Sequence, residues 1–126
     1  IKNTKNTLKP KGVLISKLFM GEDFIEVKNR KVRVGASVTW TKLSEFCHQH
    51  LPELSEIISL FASRQIRNAG TLAGNIANAS PIADSLPFLH VIGAEIELSG
   101  DKGKRWININ KFYHSYKILF FYQMNL

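Results

Sequence analysis

Cysteine is nearly absent from this chain: Cys47 stands alone among 126 residues. One thiol excludes an internal disulfide framework, and it excludes any iron–sulfur or cysteine-rich zinc centre built from this chain by itself. A reduced, intracellular setting is the expectation that follows. Long apolar runs are missing too. No stretch approaches the 18 or so residues of a membrane-spanning helix, and the first 20 residues lack the basic, apolar and small-residue order of a signal peptide. The expected location is therefore the cytoplasm, with no membrane contact. Familiar catalytic signatures are also absent, including H-E-x-x-H, a G-x-S-x-G elbow, G-x-G-x-x-G after a strand, and a phosphate loop ending in Gly-Lys-Ser/Thr. Four histidines, His48, His50, His90 and His114, show no metal-like helical spacing, so no metal is expected in this chain.

Acidic residues are the remaining shortage, ten against seventeen Lys and Arg, for a formal charge of +7. The cations cluster at Lys2 to Lys17, Lys28 to Arg33 and Lys102 to Arg105, each at a terminus or an expected turn. A solvated basic face accounts for this pattern, and attraction to an anion such as a phosphate-bearing cofactor is the alternative. Aromatics are not interleaved with the basic runs in the manner of an RNA-binding surface, so no nucleic-acid partner is expected.

What is present divides by hydrophobic period. "KGVLIS" at 11–16 has the form of a buried strand, and "FIEVKNRKVRVGASV" alternates like a hairpin with Lys28 to Lys31 as its turn. From Thr41, a plausible cap, Leu43, Phe46, Cys47 and Leu51 line one face of a helix. Pro52 then opens a second helix carrying Leu54, Ile57, Ile58 and Phe61, and this gives way to a glycine-rich loop at about Arg64. "DSLPFLHVIG" predicts a short helix capped by Asp84 or Ser85 and stopped by Gly93. "AEIELSGDKGKRWINI" predicts a second hairpin turning at Gly100 to Gly103. Strands and helices are segregated, so the expected fold is α+β, an antiparallel β-sheet packed by helices, with residues 1–117 as one domain and 118–126 as an apolar tail. Because "ILFFY" in that tail combines high β-propensity with no charge, it is expected to be buried internally or in a homo-oligomer.

The stretch "IRNAGTLAGNIANASPIADSLPFL" at 66–89 is small and polar in the middle of the chain. Gly70 and Gly74 can enter φ > 0 and admit close approach to the main chain, where successive N–H groups suit an anion. Thr71, Asn75, Asn78 and Ser80 add hydroxyl and amide donors, and Asp84 can accept from a ribose or ribityl hydroxyl. Composition alone favours a glycine-rich connection between a helix and a strand, with Ser80 and Asn78 as caps and turn formers.

The wording of this stretch resembles the flavin-binding segment of the xanthine dehydrogenase family, the molybdenum hydroxylases whose medium subunit or middle domain carries FAD. "QIRNAGTLAGNIANASPIADSLP" follows the family form Q-[IV]-[RK]-[NS], a small pair, T/S-[LIV]-G-G-N, a spacer and A-S-P-I-[SA]-D, with Ala73 where glycine is usual. "VRVGASVTWTKLSEF", "GAEIELSG" and "ININKFYHSYK" resemble its flanking segments, so the likeness covers about residues 8–117. It implies the second subdomain of the family's FAD-binding domain and an oxidoreductase of xanthine dehydrogenase type. Electrons would pass from iron–sulfur centres through FAD to NAD or oxygen, with iron–sulfur and molybdenum-cofactor subunits or domains as partners. By resemblance Gly70, Thr71, Gly74 and Asn75 hold the phosphate and ribityl region of FAD, Asn78 and Asp84 hydrogen-bond it, and Phe61 with Ala62 lies against it. No catalytic side chain is expected here, since the redox chemistry is the flavin's and the chain contains no electron donor. The family's upstream A-G-G-T-D-like loop has no counterpart in "IKNTKNTLKPKG", and the tail departs from the family after Lys117. A truncated chain, folding without catalysis, is the alternative expectation. If Ala73 occupies a position needing φ > 0, Ala73→Gly should raise cofactor affinity.

Overall fold

A computed structural model of the chain describes residues 22–100, 103–115 and 118–119. The expected strand at 11–16 lies outside these residues, as does most of the apolar tail, including its expected burial. Strands β1 (Ile25–Lys28) and β2 (Lys31–Val34) form an antiparallel hairpin. Its turn is Asn29-Arg30, both at positive φ (51° and 60°), the two-residue geometry whose twist matches that of the flanking strands.

Helix α1 (Trp40–His50) follows, capped by Thr39 rather than Thr41: the Thr39 hydroxyl accepts from the Lys42 amide. Its apolar stripe is the expected one, since Leu43 and Cys47 are buried and Phe46 is half-buried. Leu51 ends α1, and α2 (Pro52–Leu60) starts on Pro52, where the missing amide removes nothing from the helix. Leu54 and Ile58 turn inward and complete the main core with Val38, Trp40, Leu43 and Cys47. Burial pushes the Cys47 thiol up to about 11, so Cys47 acts as a small core hydrophobe, as its apolar surroundings suggest.

The segment expected as a glycine-rich loop is helical instead. α3 (Arg64–Ala69) is capped by Ser63, and α4 (Leu72–Asn78) is capped by Thr71. The physical reason is that Ala69, Ala73 and Ala77 are strong helix formers, and two hydroxyl caps satisfy the exposed first-turn amides. Glycine content outweighs neither. Gly70 simply breaks the run into two.

Helix α5 (Ser85–Val91) starts after Asp84 and is closed by Gly93 at φ 62°, as the sequence suggests. β3 (Glu95–Gly100) and β4 (Gly103–Asn108) pair in the register Glu95↔Asn108 to Gly100↔Gly103. One face, Ile96, Leu98 and Ile107, packs on a smaller core of Ala79 and Phe112. A 3-10 turn (Ile109–Lys111) leads to β5 (Tyr113–Ser115), which pairs with β6 (Ile118–Leu119).

The class is thus α+β, with antiparallel pairing in three two-stranded ladders among the described residues. Side chains tie two of the ladders together. Glu97 meets both Arg33 of β2 and Lys104 of β4, and Lys31 reaches Glu95 at 3.5 Å. The Arg33 guanidinium also lies over the Phe24 and Trp106 rings, at 5.5 and 5.6 Å. Hydrogen bonding to Lys104, reinforced by Arg33, holds the Glu97 carboxyl below the usual range.

Candidate functional site

Trp40 is the hub for two of the expected site residues, Phe61 and Gly70. It is the first residue of α1 and is 2% exposed. The Phe61 ring leans on it at 4.8 Å between centroids, tilted 50°. From the other direction Gly70 comes so close that an added Cβ would stand 3.2 Å from Trp40 Cδ1 and 3.1 Å from the Ile66 carbonyl. The Trp40 amide donates to the Gly70 carbonyl at 3.0 Å, and Thr39 and Thr71 form an isolated antiparallel bridge beside it. Thr41 adds a side-chain bond to Asn68 at 2.6 Å, so α1 and α3 are held at both main-chain and side-chain level.

The role expected of glycine is therefore corrected in kind. Gly70 is extended, at φ −77° and ψ 155°, and Gly74 lies inside α4, so neither uses φ > 0. Their value is the missing Cβ. At Gly74 a Cβ would stand 3.0 Å from the Thr71 hydroxyl, which already accepts the Gly74 amide at 2.9 Å. Ala73 also lies within α4, so the condition under which Ala73→Gly would raise affinity is not met. The left-handed positions in this region are two alanines instead, Ala62 at φ 55° and Ala79 at φ 50°.

Along α4, Thr71 caps, Gly74 is exposed and Asn75 and Asn78 stand one turn apart, which places the two amides on one side of the helix. Asn75 is oriented from behind. The buried Ser85 hydroxyl donates to its carbonyl oxygen at 2.7 Å, leaving the amide nitrogen to donate elsewhere. Asp84 precedes Ser85, is exposed, and does not cap α5 with its carboxylate. The structure thus brings Phe61 and Gly70 onto Trp40, bridges Thr71 to Thr39, fixes Asn75 through Ser85, the chain neighbour of Asp84, and leaves Ala62 exposed on its turn. Three residues that hold the expected site residues in place carried no such role in the sequence: Trp40, Ser85, read there only as a possible helix cap, and Arg67, which donates to the Phe61 and Ala62 carbonyls. Arg67 sits inside the Q-I-R-N quartet, but sequence alone does not distinguish a main-chain clamp from a solvated cation.

Beyond Asn78 an open groove of about 440 Å³ runs between the Ser80-Pro81 turn and α5, with His90 and Tyr113 in its wall. Ser80, one of the donors read from the sequence, lines it, whereas Phe61, Ala62, Gly70, Thr71, Gly74, Asn75, Asn78 and Asp84 do not. The Tyr113 hydroxyl donates to the Ile76 carbonyl at 2.8 Å, and burial pushes its pKa up to about 12. Among the described residues there is no group of three or more His, Cys, Asp or Glu able to hold a metal ion, and no helix is long and apolar enough to cross a membrane.

Residues 5–120 match the family model described as the FAD binding domain in molybdopterin dehydrogenase. The chain is 37% identical over 84 residues to the xanthine dehydrogenase FAD-binding subunit of Escherichia coli, covering 65% of this chain and 29% of that protein. It is 28% identical over 107 residues to the nicotinate dehydrogenase FAD-subunit of Eubacterium barkeri, covering 83% and 36%. Its fold superposes on a chain of the reconstituted CO dehydrogenase from Oligotropha carboxidovorans with a TM-score of 0.72 at 31% identity, covering 77% of this chain and 35% of that one. The chain spans about a third of the length of these proteins.

Proposed function

From the premise that this chain belongs to the family of FAD binding domains in molybdopterin dehydrogenases, we propose that residues 61–84 form its grip on FAD within a molybdenum hydroxylase. Bound FAD would supply the redox chemistry, taking electrons from iron–sulfur centres of a partner subunit or domain and yielding them to NAD or oxygen. The chain's own residues bind and orient. The observation that carries this reading is the surface of α4. Gly74 is exposed and bare, the Thr71 hydroxyl lies directly behind it, and Ser85 holds Asn75 with its amide nitrogen free to donate.

That donor set fits a phosphate and a polyol chain. Thr71 uses its oxygen to accept from Gly74 and keeps its proton to donate, while Asn75 and Asn78 offer two amides on one side of α4. Asp84 supplies the acceptor such hydroxyls require, and its carboxylate is not committed to capping. Phe61, half-buried on Trp40, presents a flat apolar edge to a ring system. A methyl group at position 74 would stand between α4 and its ligand.

The test is a titration of the chain into FAD followed by flavin fluorescence anisotropy, carried to millimolar protein. Saturable binding that falls at least tenfold in Gly74→Leu, with the far-ultraviolet circular dichroism unchanged, is expected. An anisotropy that never saturates, or that is indifferent to Gly74→Leu, refutes the assignment.

A further inference from the structure

Arg67 grips two consecutive carbonyls. Its Nη1 donates to the Phe61 carbonyl at 2.9 Å and to the Ala62 carbonyl at 2.7 Å. In extended chain, successive carbonyls point to opposite sides, so one nitrogen reaches both only where the backbone turns between them. It does turn here. Phe61 ends α2 at φ −87° and ψ 123°, and Ala62 then takes φ 55° in the left-handed region that residues with a Cβ disfavour.

The clamp is itself anchored. α3, which carries Arg67, is capped by Ser63 and fastened to α1 through Thr41–Asn68 and through the Trp40 amide on the Gly70 carbonyl. The same Trp40 supports the Phe61 ring. One tryptophan therefore fixes the ring, while the guanidinium fixes the backbone that carries it. The Arg67 side chain is half-buried in this arrangement, and its two hydrogen bonds go to main chain rather than to solvent-facing carboxylates.

We infer that Arg67 is a positioning residue for the flavin: it holds the left-handed turn at Ala62, so that Phe61 and Ala62 meet the cofactor as a preset surface. This rests on the FAD reading above. The role depends on guanidinium geometry more than on charge. Nη1 carries two hydrogens fixed in one plane, one for each carbonyl, whereas a lysine ammonium, though it has donors enough for both, sits one bond nearer the main chain and rotates freely on its stem.

The experiment compares the full chain with Arg67→Ala, Arg67→Lys, Ala62→Gly and the double variant Arg67→Ala/Ala62→Gly. The state of the turn is read without cofactor, from backbone chemical shifts and the three-bond H–N–Hα coupling of residue 62. FAD affinity is read separately by anisotropy. Arg67→Ala should move the residue 62 signals out of the left-handed range and weaken FAD about tenfold, the scale of one lost charge-assisted contact. Arg67→Lys should restore less than half of that loss. Glycine takes φ > 0 without a steric penalty, so the double variant should bind FAD more tightly than Arg67→Ala alone.

Full affinity in Arg67→Lys, with no benefit from glycine at 62, would overturn the inference in favour of simple charge attraction. So would FAD binding by Arg67→Ala with residue 62 unmoved. Failure of the unsubstituted chain to bind FAD would instead sink the FAD reading, and the residue 62 signals would still show whether Arg67 holds the turn.

Discussion

Adding one methyl group at Gly70 and one at Gly74 should have opposite signatures, because the two glycines are needed for different reasons. At Gly70 the backbone angles, φ −77° and ψ 155°, suit alanine, so no conformational strain arises. Reduced freedom of the unfolded chain would then stabilise Gly70→Ala by about 0.4–1 kcal/mol. Against this stand two contacts, 3.1 Å to the Ile66 carbonyl and 3.2 Å to Trp40 Cδ1. Neither neighbour can yield easily. The Ile66 carbonyl is bonded at 2.7 Å by the Gly70 amide itself, and Trp40 is buried under Phe61 and tied by its own amide to the Gly70 carbonyl. Overpacking against such fixed groups costs about 1–3 kcal/mol, so a net loss of about 1 kcal/mol is expected. For a chain of this size that lowers Tm by roughly 3–6 °C. At Gly74 the added Cβ meets only the Thr71 hydroxyl, a side-chain atom that can rotate away. Lost capping of about 1 kcal/mol is then offset by about 1 kcal/mol of helix propensity. Stability should stay within error while FAD affinity falls. Urea denaturation followed by circular dichroism, paired with the FAD titration, measures both. A Gly70→Ala protein as stable as the parent would refute the claim that Trp40 and Ile66 are immobile; a Gly74→Ala protein with parental FAD affinity would refute close approach at that position.

Thr71→Ala should cost about 1 kcal/mol through the lost cap on the Gly74 amide, and Thr71→Ser should recover most of it, as thermal denaturation would show. Ser85→Ala leaves the Asn75 carbonyl oxygen without its buried donor and should cost about 1–2 kcal/mol in the same assay. Glu97→Gln tests the link between the ladders. Lys104 and then Arg33 hold the folded-state pKa of Glu97 below its ordinary 4.5, so its contribution to stability is present above that value and is lost as pH falls through the folded pKa. The stability gap between parent and Glu97→Gln should be open at pH 7 and closed near pH 2; a gap independent of pH would contradict the ion-pair account. Cys47, buried with its thiol pushed to about 11, should react with a disulfide reagent at pH 8 only after denaturation, whereas rapid labelling of the native chain would show that this core opens readily.

Much of the fold was legible because local periodicity and local packing agree in it. Leu43, Cys47, Leu54 and Ile58 announce their helices by spacing and are the residues the core buries. Pro52 and Gly93 mark boundaries through backbone chemistry that acts within a residue or two. In sequence the stretch at 64–78 reads as loop because glycine and polar residues suggest irregular backbone, while the hydroxyl caps that make two short helices are visible only once the helices exist.

The residues of 61–84 proposed to hold FAD were nameable from the wording of the motif, since spacing along the chain is a property of sequence. How those residues are held was not. Gly70 is small because Trp40, thirty positions earlier, occupies the space a Cβ would need; Asn75 is aimed by Ser85; the αL turn belongs to Ala62, clamped by Arg67. Each of these is a contact between side chain or main chain of different elements, and steric exclusion and hydrogen-bond geometry act through space. Sequence by itself therefore determined α1, α2 and α5, the two hairpins and the identity of the motif, whose causes are local. Only the tertiary structure decided what each motif residue is small, polar or positive for, because the partner that gives it that purpose is brought to it by folding.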